Sequence, residues 1–169
     1  MKDQIILLNG PSSSGKSTLA RGLQAHLREQ MGVESAIVSI DEFMSKILGE
    51  DESIYEDDVF EISGAMCDEV LRLLGSTPCV IVDHVITSER IFAQLTHAVQ
   101  RKSLLTVHVE CPLEVLVQRE TARGNRCRGS AESSYTYLYP KTGYDTCINT
   151  HTMTTEQCCK SILNAFKGE

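Results

Sequence analysis

The string Gly10-Pro11-Ser12-Ser13-Ser14-Gly15-Lys16-Ser17 matches the phosphate-binding pattern G-x-x-x-x-G-K-[ST] at every fixed position. Gly10 and Gly15 let the backbone turn tightly enough to aim N–H groups inward, making a nest for an anion. The stretch from Gly10 to Thr18, through Pro11, Ser12, Ser13, Ser14 and Gly15, is therefore the expected cradle for the phosphates of ATP. Lys16 would carry a mobile positive charge to the β- and γ-phosphates, and the Ser17 hydroxyl would reach the Mg2+ ion they bring. A helix starting here adds the positive end of its dipole.

Two carboxylates stand where such a loop needs them. Asp83 closes the apolar run Val80-Ile81-Val82. An acid in that position beside a phosphate loop meets magnesium directly or through water, which pairs Asp83 with Ser17 as expected metal ligands. Asp41 follows the run Ala36–Ile40. Facing the γ-phosphate, it would take the proton from an attacking hydroxyl, worth on the order of 10²–10⁴ in rate. Magnesium binding and capping of a helix over Glu42–Leu48 are the other readings of Asp41. The third constellation is Arg119, Arg123, Arg126 and Arg128, four guanidinium groups within ten residues. Planar cations match the equatorial oxygens of a transferring phosphoryl group. Arg119 and Arg123 are one helical turn apart, so both can face one ligand, whereas Arg126 falls on a covering segment. The plainer reading is a solvated basic face. His84, beside Asp83, is a substrate contact or a core histidine satisfied by backbone. His151 falls in a turn where an adenine pocket would lie.

Stepping from these residues to what must hold them, apolar runs alternate with helical patterns along the whole chain. Strands are expected at Gln4–Asn9, Ala36–Ile40, Cys79–Asp83, Leu104–Glu110 and Asp145–Asn149. Leu19, Leu23 and Leu27 mark a helix after the glycine loop. Val59, Ile62, Met66, Val70, Leu73 and Leu74 mark a longer one, stopped by Gly75 and Pro78. Ile91, Phe92, Leu95 and Val99 mark another, and Leu113, Leu116 and Val117 begin one after Pro112 that Gly124 ends. Thr154-Thr155-Glu156-Gln157 reads as a capping box for the last helix. Alternation of this kind implies an α/β fold, a parallel sheet with helices on both faces and ligands beyond the carboxyl ends of its strands.

Composition narrows the partners. With 169 residues, 41% hydrophobic and 23% charged, the chain fits one globular domain. Its net charge of −7 argues against nucleic acid, so the basic cluster points to a small anionic ligand. Glu50 to Asp58 holds six acids, most simply a solvated surface. No apolar run approaches membrane-spanning length, and the first residues do not resemble a signal peptide, so no membrane partner and a cytoplasmic location are expected. Seven cysteines, odd in number and without a CxxC pair, agree with that location and with small core residues. Oligomeric state leaves no mark in the sequence.

With these residues in place, the chain resembles the chloramphenicol phosphotransferase-like proteins, a branch of the small P-loop kinases. The likeness rests on Ile6–Ser17, on Ser39-Ile40-Asp41 followed by a helix, on Arg119-Glu120-Thr121-Ala122-Arg123-Gly124-Asn125-Arg126, and on the tail Gly143–Thr150. It implies a P-loop NTPase fold with a five-stranded parallel core and transfer of the ATP γ-phosphate to an alcohol. Asp41 would then be the base and Lys16 the phosphate clamp, with Arg123 and Arg126 belonging to a lid of about 119–135. An insertion of about 42–75 would line the acceptor pocket. A nucleotide or adenylylsulfate kinase is the nearest alternative. It needs cations for its anionic acceptor, and between Glu42 and Met66 only Lys46 is available, with Arg72 and Arg90 as helpers. An ATP-binding regulatory switch is the alternative from another class.

Overall fold

The structure is a computed structural model that describes residues 3–47, 55–100, 102–124 and 128–168. Among the described residues, five strands form one sheet in the order β2-β3-β1-β4-β5, with all four pairings parallel. They are β1 (Gln4–Asn9), β2 (Ser35–Ser39), β3 (Cys79–His84), β4 (Ser103–Glu110) and β5 (Thr146–Asn149). The helices between and after them are α1 (Lys16–Met31), α2 (Ile40–Ile47), α3 (Glu56–Leu74), α4 (Glu89–Ala98), α5 (Leu113–Arg123), α6 (Ser130–Tyr137) and α7 (Thr155–Lys167).

Strand side chains alternate between two cores, because successive residues point to opposite faces of a pleated sheet. Ile6, Leu8, Ile81, Val107, Val109 and Ile148 pack with Leu19, Leu23 and Leu27 of α1 and Cys158, Cys159 and Ile162 of α7. Ile5, Leu7, Val38, Val80 and Val82 pack with Ile62, Met66 and Val70 of α3 and Ile91 and Leu95 of α4. Covered on both faces, the central strands read as unbroken apolar runs. This is the layered sheet that the alternating pattern implies.

Boundaries moved in one place that matters. Ile40 belongs to α2, not to the second strand, so Asp41 lies in the first turn of the helix instead of capping it. Helix ends match their sequence signals elsewhere. Gly124 is in the left-handed region at φ 67° after α5, and Pro112 precedes that helix as its N-cap. At α7 the Thr154 hydroxyl accepts from Gln157 N–H at 3.2 Å, and Gln157 Oε1 accepts from Thr154 N–H at 2.9 Å.

Candidate active site

The parallel register brings β1, β2 and β3 to an end together, with Leu8 and Ser39 both beside Asp83 and Asn9 beside His84. The glycine loop leaves this edge into α1. A Cβ on Gly10 would run into the carbonyl oxygen of Val109 and lie 3.2 Å from Ser14 Oγ, which restricts the position to glycine. Ser13 has φ 65° and Gly15 φ 90°, so the loop turns through the left-handed region twice before the helix starts. No side chain caps α1 at Gly15, a helix start of the kind that can take an anion.

Lys16 is 6% exposed; its Nζ donates to Pro11 O at 2.8 Å and to Ser14 Oγ at 3.4 Å, holding the ammonium across the loop. Ser17 Oγ donates to Asp83 Oδ2 at 2.7 Å, and Asp83 is 4% exposed. The two residues read as metal ligands are thus in contact. A hydroxyl and a nearly buried carboxylate are the hard oxygen donors that Mg2+ takes, so the pair fits that ion. Asp41 is exposed on the first turn of α2. Two residues before it, Ser39 pairs with Asp83 at the ends of β2 and β3, which sets Asp41 at the same edge of the sheet.

His84 is fully buried, with Nε2 3.2 Å from Ser63 Oγ of α3. Burial is the main cause that pushes its pKa down to about 4, so the ring is neutral near pH 7. Of the two sequence readings of His84, the core histidine is the one its burial supports.

Arg119 and Arg123 line a pocket of about 240 Å³ together with Ser13, Gly15, Thr18 and Met153. Arg119 donates to Thr150 Oγ1 at 3.2 Å and Thr150 O at 3.1 Å, and reaches Ser13 O at 3.5 Å. The Thr150 hydroxyl donates to Ser14 O at 2.7 Å. Arg119 therefore ties α5, the glycine loop and the turn after β5 into one wall. His151 is exposed, and Thr150 and Met153 of the same turn line the pocket in its place. Arg126 and Asn125 lie outside the described residues, as do Glu50 to Ile54 of the acidic run.

Four residues at the site carry structural work that the sequence did not advertise. Asn9 is fully buried at the end of β1; its Nδ2 donates to Tyr139 O at 2.9 Å and Tyr144 Oη at 2.8 Å, and its Oδ1 accepts from Ile86 N–H at 3.0 Å. A polar residue ending the run Ile5–Leu8 was the available signal. Ser134 of α6 accepts from Ser12 N–H at 2.8 Å, binding that helix to the glycine loop. Glu120 accepts from Gly129 N–H at 3.0 Å and Ala131 N–H at 2.7 Å, so α5 caps α6. Thr150 joins them, as described above.

A family model of chloramphenicol phosphotransferase-like proteins matches residues 3–167. No curated protein matches the sequence. Among solved structures, the chain is similar to the Mycobacterium tuberculosis APS kinase CysC in complex with AMPPNP and APS, with TM-score 0.79, 17% identity and 98% of each chain covered. It is similar to a gluconokinase from Sinorhizobium meliloti 1021, with TM-score 0.73, 17% identity, and 98% of this chain and 93% of that one covered. The shikimate kinase from Acinetobacter baumannii in complex with shikimate gives TM-score 0.66 at 18% identity, covering 99% and 94%. At these identities the likeness is one of fold.

Proposed function

The chain belongs to the chloramphenicol phosphotransferase-like family and is an ATP-dependent phosphotransferase acting on the hydroxyl group of a small molecule; we propose that Asp41 is its general base and that its acceptor is neutral. The observation that carries the assignment is the convergence of Lys16, the Ser17–Asp83 pair and Asp41 at one end of the sheet.

In this reading the loop from Gly10 to Thr18 holds the phosphates, and Lys16 leaves Pro11 O to follow the γ-phosphate. Ser17 and Asp83 would hold Mg2+, which would supply positive charge to the phosphates. Arg119 fixes the wall beside the nucleotide while Arg123 and Arg126 serve the lid of about 119–135. Asp41, exposed to the space beyond the strand ends, accepts the acceptor's proton. The chain works as one domain in which 42–75 forms the acceptor wall. The setting is cytoplasmic, in keeping with the cysteines among the described residues, which are unpaired and mostly buried.

Neutrality of the acceptor rests on where the cations in and beside that wall are engaged. Arg72 forks onto both oxygens of Glu69 at 2.7 Å, and Arg90 pairs with Asp57 at 2.6 Å while lying over the Phe60 ring. Lys46 sits over Phe43. An anionic acceptor would have to draw Arg72 and Arg90 away from those carboxylates, a modest bar for pairs this exposed. Radiolabelled ATP with a panel of neutral polyols and hydroxylated antibiotics, set against adenylylsulfate and nucleoside monophosphates, tests this. Turnover confined to neutral alcohols is expected. Transfer confined to the anionic members would overturn the neutral assignment, and slow hydrolysis indifferent to every acceptor would favour a switch.

A further inference from the structure

Val107 and Val109 of β4 and Ile148 of β5 point into the core under α1 and α7. By the two-residue period of a strand, His108, Glu110, Cys147 and Asn149 must point the other way. Parallel pairing sets His108 beside Cys147 and Glu110 beside Asn149. The donor atoms of His108, Glu110 and Cys147 consequently lie within 4.8 Å of one another. His108 Nδ1 and Glu110 Oε1 are 3.3 Å apart. We propose that His108, Glu110 and Cys147 form a three-ligand site for a divalent transition metal of the zinc class, separate from the oxygen pair at Ser17 and Asp83.

The donor set selects the ion. One imidazole, one carboxylate and one thiolate are a borderline set that suits Zn2+ and Co2+, and a thiolate is a poor ligand for Mg2+ or Ca2+. Tetrahedral bonds of about 2.0–2.3 Å place ligand atoms roughly 3.3–3.8 Å apart. The cluster needs only a small inward turn of Cys147, which is exposed, and of Glu110, which is half-buried. The imidazole is already oriented. Tyr144 stacks on His108 with centroids 4.7 Å apart and an interplanar angle of 15°. The Tyr144 hydroxyl is itself fixed, donating to Pro140 O at 2.8 Å and accepting from Asn9. Stacking of this kind limits rotation of the His108 ring.

Three protein ligands leave a fourth position. His108 and Glu110 border a cavity of about 400 Å³ that also reaches Pro11, Tyr135 and Leu138. Lys141 lies at the same cavity, but its ammonium is drawn to Thr136 O at 2.6 Å. The open position therefore faces room for water or for a donor atom of a small molecule, the arrangement of a metal site with an exchangeable ligand. Pro11 and α6 connect this cavity to the glycine loop, so occupancy would reach the nucleotide side through Ser134 and Ser12.

The test uses the full chain, stripped with chelator and free of nucleotide, titrated with CoCl2. Thiolate ligation gives a charge-transfer absorption in the near ultraviolet that oxygen-only ligation at Ser17 and Asp83 cannot give. Wild type and Cys127→Ser should both show the band, saturating at about one equivalent per chain and abolished by ZnCl2. Cys147→Ser, a conservative change at an exposed position, should lose it. Glu110→Gln should weaken Co2+ binding by at least the roughly 10–100-fold that loss of a supporting partner costs. Absence of the band in wild type overturns the proposal, as does its persistence in Cys147→Ser or unchanged affinity in Glu110→Gln.

Discussion

Replacing Glu120 by Gln should release α6 while leaving the rest of the fold standing. Glu120 is 7% exposed, and each of its oxygens accepts one backbone N–H from the start of α6. That helix has no side-chain cap of its own at Gly129, so the carboxylate of α5 supplies both the acceptors and the negative charge that a helix start favours. Gln keeps one acceptor and turns an NH2 group toward the other N–H. One bond to a charged group is lost, worth about 1.5–3 kcal/mol. Taken as about 2–3 kcal/mol of local opening, the change should speed hydrogen exchange over 129–137 by about 30–150-fold. Amides of β1 and β3 should keep their protection. Because Ser134 holds Ser12 N–H at 2.8 Å, turnover should fall together with the loss of protection. Unchanged exchange over 129–137 in a folded Glu120→Gln protein would refute the claim that this carboxylate holds the helix on the loop.

Three further outcomes follow from the same geometry. Arg119→Lys keeps the charge but loses the planar fork on Thr150, so ATP affinity should fall in direct titration, together with a loss of nucleotide-free stability as the wall is untied. Gly10→Ala must move the β4 backbone at Val109, and a loss of about 1–3 kcal/mol in denaturant unfolding is expected, with ATP binding impaired. For His84 the folded pKa of about 4 lies below the unfolded value, so the unfolded chain binds the extra proton between them. Stability should be full above about pH 6.5 and decline by about 3 kcal/mol as pH falls to 4, and His84→Asn should flatten that part of the urea-derived profile.

The layers of the fold were legible because they come from period and punctuation. Unbroken apolar runs such as Ile5–Leu8 and Val80–Val82 are what strands buried on both faces require, and Gly124 and Thr154 end and begin helices by local chemistry alone. The phosphate loop was legible for the same reason. Helix α6 was not. Its sequence, Ser130 to Tyr137, has no clear apolar stripe, and what fixes its start is Glu120, nine residues before Gly129. Asn9, Thr150 and Ser134 were hidden likewise, since each acts through a contact more than a hundred residues away. Asp41 shows a subtler limit. The end of an apolar run and the first turn of a helix overlap at Ile40, and only the backbone decides between them.

ATP affinity and acceptor phosphorylation measured on one preparation of Asp41→Asn test the central claim most directly. Asn keeps the shape and most hydrogen bonding of Asp but cannot take the proton. Transfer to the hydroxyl should fall by about 10²-fold or more, while ATP–Mg2+ affinity stays within a few-fold of wild type. Full transfer activity in Asp41→Asn would contradict the account.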